Sequence, residues 1–177
     1  MTGVQTCALP IFILEEAHFK IIAEWEHYAV LTLLDTSYAI STASDVCNHF
    51  NITLKRAEEV LHNLEKAGFI EKLENVYRLT KGNVQTTEDI SSRALVQSHT
   101  ETLEIGVKKL HEVALELRDF SSLTIAMDMA QIQEAKLIIR EFRKKMGALL
   151  KSGRRKTAVY QLAIQFYPLT VNQGEVR

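Results

Sequence analysis

Residues 41–80, STASDVCNHFNITLKRAEEVLHNLEKAGFIEKLENVYRLT, constrain the fold more than any other stretch. Ser41 or Thr42 is placed to cap a short helix from Ala43 to about Phe50, with Asp45 positioned to accept from the free amides of its first turn. Asn51-Ile52-Thr53 forms a turn, and Thr53 caps a second helix over residues 54–67. Leu54, Ala57, Val60 or Leu61, Leu64 and Ala67 share one face of that helix. Gly68 follows where a left-handed residue closes a helix without a Cβ penalty. Residues 69–73 and 76–80 read as two strands joined by Glu74-Asn75, because Asn tolerates the positive φ of a tight hairpin. Helix, turn, helix and hairpin in this order spell a winged helix-turn-helix. If Leu61 and Leu64 lie in its core, truncating either to Ala costs roughly 2–5 kcal/mol.

The flanks are read in the same way. Residues 13–35 repeat apolar side chains at three- and four-residue steps, which predicts helix. A break near Ala23 and Glu24 leaves residues 25–34 as the first helix of the module. The opening MTGVQTCALPI has no period and resembles the translated read-through of a sequencing adapter, so residues 1–11 are set aside as a scar. A native tail or a truncated signal peptide is the alternative, although the basic front end and long apolar core of a signal peptide are missing. On the scar reading the native protein extends further N-terminally than this chain.

The organisation expected is therefore a scar at 1–11, a winged helix-turn-helix module at 12–81, a polar linker at 82–92, a second module at 93–170 and a tail at 171–177. The second module reads as α-β-α-β. Helix is predicted over 90–117, from Leu95, Leu103, Val107, Leu110, Ala114 and Leu117. Residues 121–129 alternate as a half-buried strand, 131–150 form an amphipathic helix, and 157–167 alternate again until Pro168 ends the run. Two strands alone are marginal. The sheet is thus expected to gain strands from the N-terminal region, from the wing or from a second subunit. The fold class is mainly α with small β.

Net charge is −1 over 177 residues, so no global basic field marks a nucleic-acid binder. With Cys7 assigned to the scar, Cys47 has no disulfide partner and no metal partner at ligand spacing, which suits a reducing, cytoplasmic setting. No apolar run is long enough for a bilayer. The histidines lack zinc-ligand spacing, and no phosphate-cradling glycine loop or nucleophile elbow is present. Neither an enzyme, a cofactor nor a metal is expected.

What remains is recognition. In a helix-turn-helix the second helix lies in the major groove. Its outer face here offers Lys55, Arg56, Glu59, His62, Asn63 and Lys66. Arg56 and Asn63 are the types that pair bidentately with guanine and adenine. Lys55 and Lys66, with Lys72, Asn75 and Arg78 on the wing, suit phosphates, which position without specifying sequence. On that reading, Arg56→Ala costs about 1–3 kcal/mol on a cognate site and relaxes base preference. Glu58, Glu59 and Glu65 cancel the cations along the same helix, and phosphate neutralisation dominates affinity. A protein-contact or scaffolding role for the module thus stands beside the DNA reading. A second basic cluster, Lys136 to Lys156, reads either as a polyanion surface or as a solvated face complementing a helix C-terminus.

Several strings carry a resemblance: AEWEHYAVLTLL (23–34), the helix-turn-helix and hairpin to Thr80, SHTETLEI (98–105), RDFSSLTIAMD (118–128), KLIIREFRKKM (136–146) and VYQLAIQFYPLT (159–170). Together they resemble a bacterial domain-of-unknown-function family of predicted transcriptional regulators. The resemblance implies a longer protein with a further N-terminal helix-turn-helix region. Trp25, Tyr28, His99, Arg118 and Ser121 match recurrent family positions, to which no role attaches. The expectation is a fragment of a bacterial transcriptional regulator, a DNA-binding winged helix with an appended dimerisation or sensing module. The alternative is an interaction or dimerisation module whose DNA reading lies in a missing N-terminal region. The expected partners are DNA and a second copy of the chain, with no membrane; no effector is named by the residues.

Overall fold

The computed structural model describes residues 23–80 and 93–170. The expectations for 1–11, for 13–22, for the linker at 82–92 and for the tail lie outside the described residues. The fold is mainly helical with one small antiparallel sheet of two strands. The described residues divide into two compact units, 23–120 with 155–159 and 121–154 with 160–170.

The first unit is built on local signals that the sequence carries openly. Helix α1 spans Trp25–Leu33 and buries His27, Val30, Leu31 and Leu33. Helix α2 spans Ala43–Phe50. Thr42 is its cap: the Asp45 amide donates to Thr42 Oγ1 at 3.3 Å, while the amides of Ser41 and Thr42 donate to Asp45 Oδ2 at 2.8 Å each. This reciprocal box satisfies the orphan donors of the first turn. It also holds the Asp45 carboxyl below its usual pKa, through the Ser41 amide first. Asn51 ends α2 with φ of 53°, a left-handed conformation that Asn reaches at low cost. Thr53 then caps helix α3, Leu54–Lys66, accepting from the Arg56 amide at 3.3 Å.

Helix α3 stops as its glycine requires. Gly68 sits at φ of 76°, the Phe69 amide reaches back to the Leu64 carbonyl and the Gly68 amide to the Glu65 carbonyl, each at 2.9 Å. These two bonds make the Schellman closure. Strands β1, Ile70–Leu73, and β2, Val76–Leu79, pair in the register Ile70↔Leu79 to Leu73↔Val76. Glu74 and Asn75 both have positive φ, 49° and 64°, as a two-residue turn of the type I′ hairpin demands. The chain before α2 also meets the hairpin, with the Tyr77 amide donating to the Ile40 carbonyl at 2.8 Å.

These elements close over one core. Val30, Leu31, Leu33, Ile40, Val46, Ala57, Val60, Leu61, Leu64 and Ile70 are buried together, with Phe50, Phe69, Tyr77 and Val159 packed at the margin. Ala57, Val60, Leu61 and Leu64 are on the face of α3 that the periodicity marks as apolar. Leu54, read with that face, is half exposed instead. Residues 155–159 belong to this unit: the Ser37 amide donates to the Lys156 carbonyl at 2.8 Å, Tyr38 Oη to the Thr157 carbonyl at 3.1 Å, and Lys156 Nζ to Asp35 at 2.6 Å.

Helix α4, Arg93–Glu112, packs against α1 in the same unit. The helix expected to reach residue 117 ends earlier, and a 3-10 turn covers Leu115–Leu117. Arg118 closes this corner. Its Nε donates to the Val113 carbonyl at 2.8 Å and its guanidinium lies 5.6 Å from the centre of the Phe120 ring.

The second unit corrects the α-β-α-β expectation. Its helix is present as α5, Ile132–Lys151, preceded by a 3-10 turn at Met129–Gln131. The two alternating runs are not strands. Residues 118–128 and 156–168 carry no helix, turn, bend or ladder. Alternation states which faces a strand would present, but a strand exists only through a neighbour that completes its hydrogen bonds. No described segment lies beside either run as a ladder partner.

Candidate nucleic-acid interface

The exposed face of α3 and the hairpin hold the residues proposed for recognition, and the structure sorts them into two groups. Lys55, His62 and Lys66 are exposed on α3; Lys72, Asn75 and Arg78 are exposed on the hairpin. Arg56 and Asn63 are half-buried and engaged elsewhere.

Arg56 turns toward the start of α1. Its Nε donates to Glu26 Oε1 at 3.1 Å and its Nη2 to Glu26 Oε2 at 3.2 Å, a two-pronged grip on one carboxylate. Nη2 also donates to Glu24, and Nη1 lies 3.2 Å from Glu59 Oε2. The hydrogen bonds to Glu26 raise the Arg56 pKa above its ordinary value, against burial and with help from Glu24. Three carboxylates thus surround the one guanidinium on this helix, and it ties α3 to α1.

Asn63 faces inward as well. Its Nδ2 is 3.5 Å from His27 Nε2. His27 is fully buried, and its Nδ1 has no hydrogen-bond partner among the described residues, standing 3.6 Å from Glu24 Oε2. That separation is too long for a hydrogen bond to the carboxylate, so the Glu24 side chain acts on the ring through its charge, and the Glu24 backbone adds a smaller pull in the same direction. Burial lowers the His27 pKa, Glu24 pulls it back up, and Arg56 adds to the lowering. The neutral imidazole is the form this site favours.

Between α1, α3 and α4 the first unit has an open cavity of about 230 Å³ lined by Glu24, Trp25, Glu26, Arg56, Glu101, Glu104 and Ile105. The Trp25 amide, an orphan donor at the start of α1, is satisfied across it by Glu101 Oε2 at 3.1 Å. With four carboxylates against one guanidinium, this cavity repels a phosphate. The sequence reading missed Glu24, Glu26, His27 and Glu101, because their partners lie 30 to 76 residues away and no local pattern announces them.

Once Arg56 is paired, the outer face of α3 keeps Lys55 and Lys66 as cations beside exposed Glu58, Glu59 and Glu65. On the hairpin, Arg78 is opposite Glu71, and Lys72 Nζ stands 4.9 Å from the centre of the Tyr77 ring. Lys72 is therefore steadied by a ring face, and the charge of both hairpin cations stays in solvent. Among the described residues no group of His, Cys, Asp and Glu could hold a metal ion, and no helix is long and apolar enough to cross a membrane.

The same elements place the chain among known families. The family described as "Domain of unknown function (DUF4423)" matches residues 8–169, which takes in both units and the last four residues of the head read as a scar. Neither a curated protein nor a solved structure matches. By a match that runs through nearly its whole length, the chain belongs to the DUF4423 family.

Proposed function

We propose that the chain is part of a transcriptional regulator, with residues 23–80 acting as a winged helix-turn-helix on DNA and the second unit as a dimerisation half. The observation that carries the reading is the succession of devices in the first unit. A Thr42-capped helix, a left-handed Asn51, a Thr53-capped helix, a Gly68 closure and a type I′ hairpin follow in forty residues. In this arrangement α3 enters the major groove and the hairpin lies along the backbone. Lys55, Lys66, Lys72 and Arg78 contact phosphates, while His62 and Asn75 reach base or sugar edges. Arg56 and Asn63 serve the fold. The contacts are thus weighted toward positioning, and sequence preference is weak. Selection of bound duplexes from a random pool tests this. Weak enrichment, with affinity falling steeply with salt, supports it. Sharp enrichment for a site read through Arg56 contradicts the assignment of roles.

One observation favours a second reading. The outer face of α3 has more exposed carboxylates than cations, which suits a protein surface better than a phosphate backbone. In that case the module makes protein contacts and DNA is read by another part of the regulator. Absence of any duplex binding at low salt selects this reading.

A further inference from the structure

The second unit contains a palindrome of side-chain character. Residues 160–166 read Tyr-Gln-Leu-Ala-Ile-Gln-Phe. About Ala163 the run is symmetric: aromatic with aromatic, amide with amide, branched aliphatic with branched aliphatic. A strand of this kind is complementary to itself when turned around. We propose that residues 160–166 pair antiparallel with the same residues of a second copy of the chain, across a two-fold axis at Ala163. The proposal rests on the dimerisation half of the function above and is independent of DNA contact.

Three observations on this chain carry it. First, residues 160–168 run without helix, turn or bend, and no described segment forms a ladder with them, so this stretch has no sheet partner among the described residues. A run without a ladder partner among the described residues is a template for another strand. Second, every residue from 160 to 170 is exposed, including Tyr160 at 66 %, Leu162 at 45 % and Phe166 at 45 %. The unit as a whole exposes fifteen large apolar side chains among its described residues, the material of an interface of roughly 20–30 residues a side. Third, no Asp, Glu, Lys or Arg occurs between Val159 and Thr170. A two-fold interface opposes each surface to itself, so any charge near the axis would meet its own copy. Freedom from charge is what self-pairing requires, whereas a partner of opposite charge would need charge here.

The register follows from the palindrome. Directly opposed residues in an antiparallel pair share a face. Pairing about Ala163 sets Tyr160 opposite Phe166, Gln161 opposite Gln165 and Leu162 opposite Ile164. The aromatic and aliphatic pairs share one face, and the amides share the other with Ala163. A shift by one residue would put the glutamines against the apolar face. Pro168, which cannot donate to a ladder, stands just past the paired run and limits it.

The test uses the full chain with Cys7 and Cys47 replaced by Ser. Sedimentation of the parent at rising concentration should reach about 40 kDa, twice the chain's 20.1 kDa. Ala163→Cys should form a disulfide dimer under mild oxidation, because opposed Cβ atoms lie about 4.5–5.5 Å apart. Gln161→Cys alone should stay unlinked, since its two copies stand about 14 Å apart in this register. Mixed with Gln165→Cys, it should link. A 40 kDa species in which Ala163→Cys does not link, or in which Gln161→Cys links to itself, overturns the pairing but leaves dimerisation standing. A species that stays at 20 kDa at high concentration removes both.

Discussion

Replacing Arg56 by Ala separates a structural role from a base-reading one. Glu26 is only 13 % exposed and Arg56 22 %, so the two-pronged pair between them is partly shielded from water. Hydrogen bonds to charged groups contribute about 1.5–3 kcal/mol net. The contacts to Glu24 and Glu59, at 36 % and 54 % exposure, belong to the class of solvent-exposed pairs that contribute little. The Glu26 grip therefore dominates, and Arg56→Ala should cost about 2 kcal/mol. At a typical slope of about 1–3 kcal/mol/M in urea, the unfolding midpoint falls by about 1 M. A double-mutant cycle with Glu26→Gln should return a coupling energy of about 1 kcal/mol or more. DNA affinity, measured where both proteins are folded, should stay within about twofold of the parent. A variant as stable as the parent that has lost DNA affinity tenfold would refute the reasoning, because Arg56 would then be free to meet a base.

Four further outcomes follow from the same geometry. Lowering the pH should destabilise the first unit through His27, whose folded pKa lies below the ordinary 6.5. Its contribution is complete above about 6.5, declines as the pH falls toward the folded pKa and is constant below it; pH-dependent melting of His27→Leu should lack that step. Leu64→Ala should cost about 2–5 kcal/mol by denaturant unfolding, since Leu64 is fully buried. Gly68→Ala should cost about 1 kcal/mol even though open space awaits the methyl, because the strain at φ of 76° is in the backbone. Glu74→Asn should raise the melting temperature by a few degrees, since Asn accepts the left-handed first turn position that Glu occupies at a cost.

What could be read in the sequence was what is decided within a few residues. Thr42, Asp45, Thr53, Gly68 and Asn75 do in the structure what their neighbours imply, because caps and tight turns are local chemistry. The apolar face of α3 was legible for the same reason, through Ala57, Val60, Leu61 and Leu64. Arg56 was not, since its partners stand 30 and 32 residues earlier and a surface arginine looks the same whether it meets a base or a carboxylate. Buried His27, an apolar position filled by an imidazole, was invisible to a search for metal-ligand spacing. The alternating runs at 121–129 and 157–167 mark another limit. Periodicity reports which side chains want cover, and only a neighbouring chain decides whether a ladder forms. Helix α4 shows the limit in reverse, read as part of the C-terminal module yet packed on α1, with Glu101 meeting the Trp25 amide.

The most direct measurement is fluorescence anisotropy of the 177-residue chain on random duplex across a salt series, beside Lys55→Glu/Lys66→Glu. If Lys55, Lys66, Lys72 and Arg78 each neutralise one phosphate, the logarithm of affinity should fall with the logarithm of salt at a slope of about −4 per chain. The double reversal should weaken binding at least tenfold and reduce the slope by about 2. Equal binding by parent and variant, or no binding by the parent at low salt, would contradict DNA contact through α3.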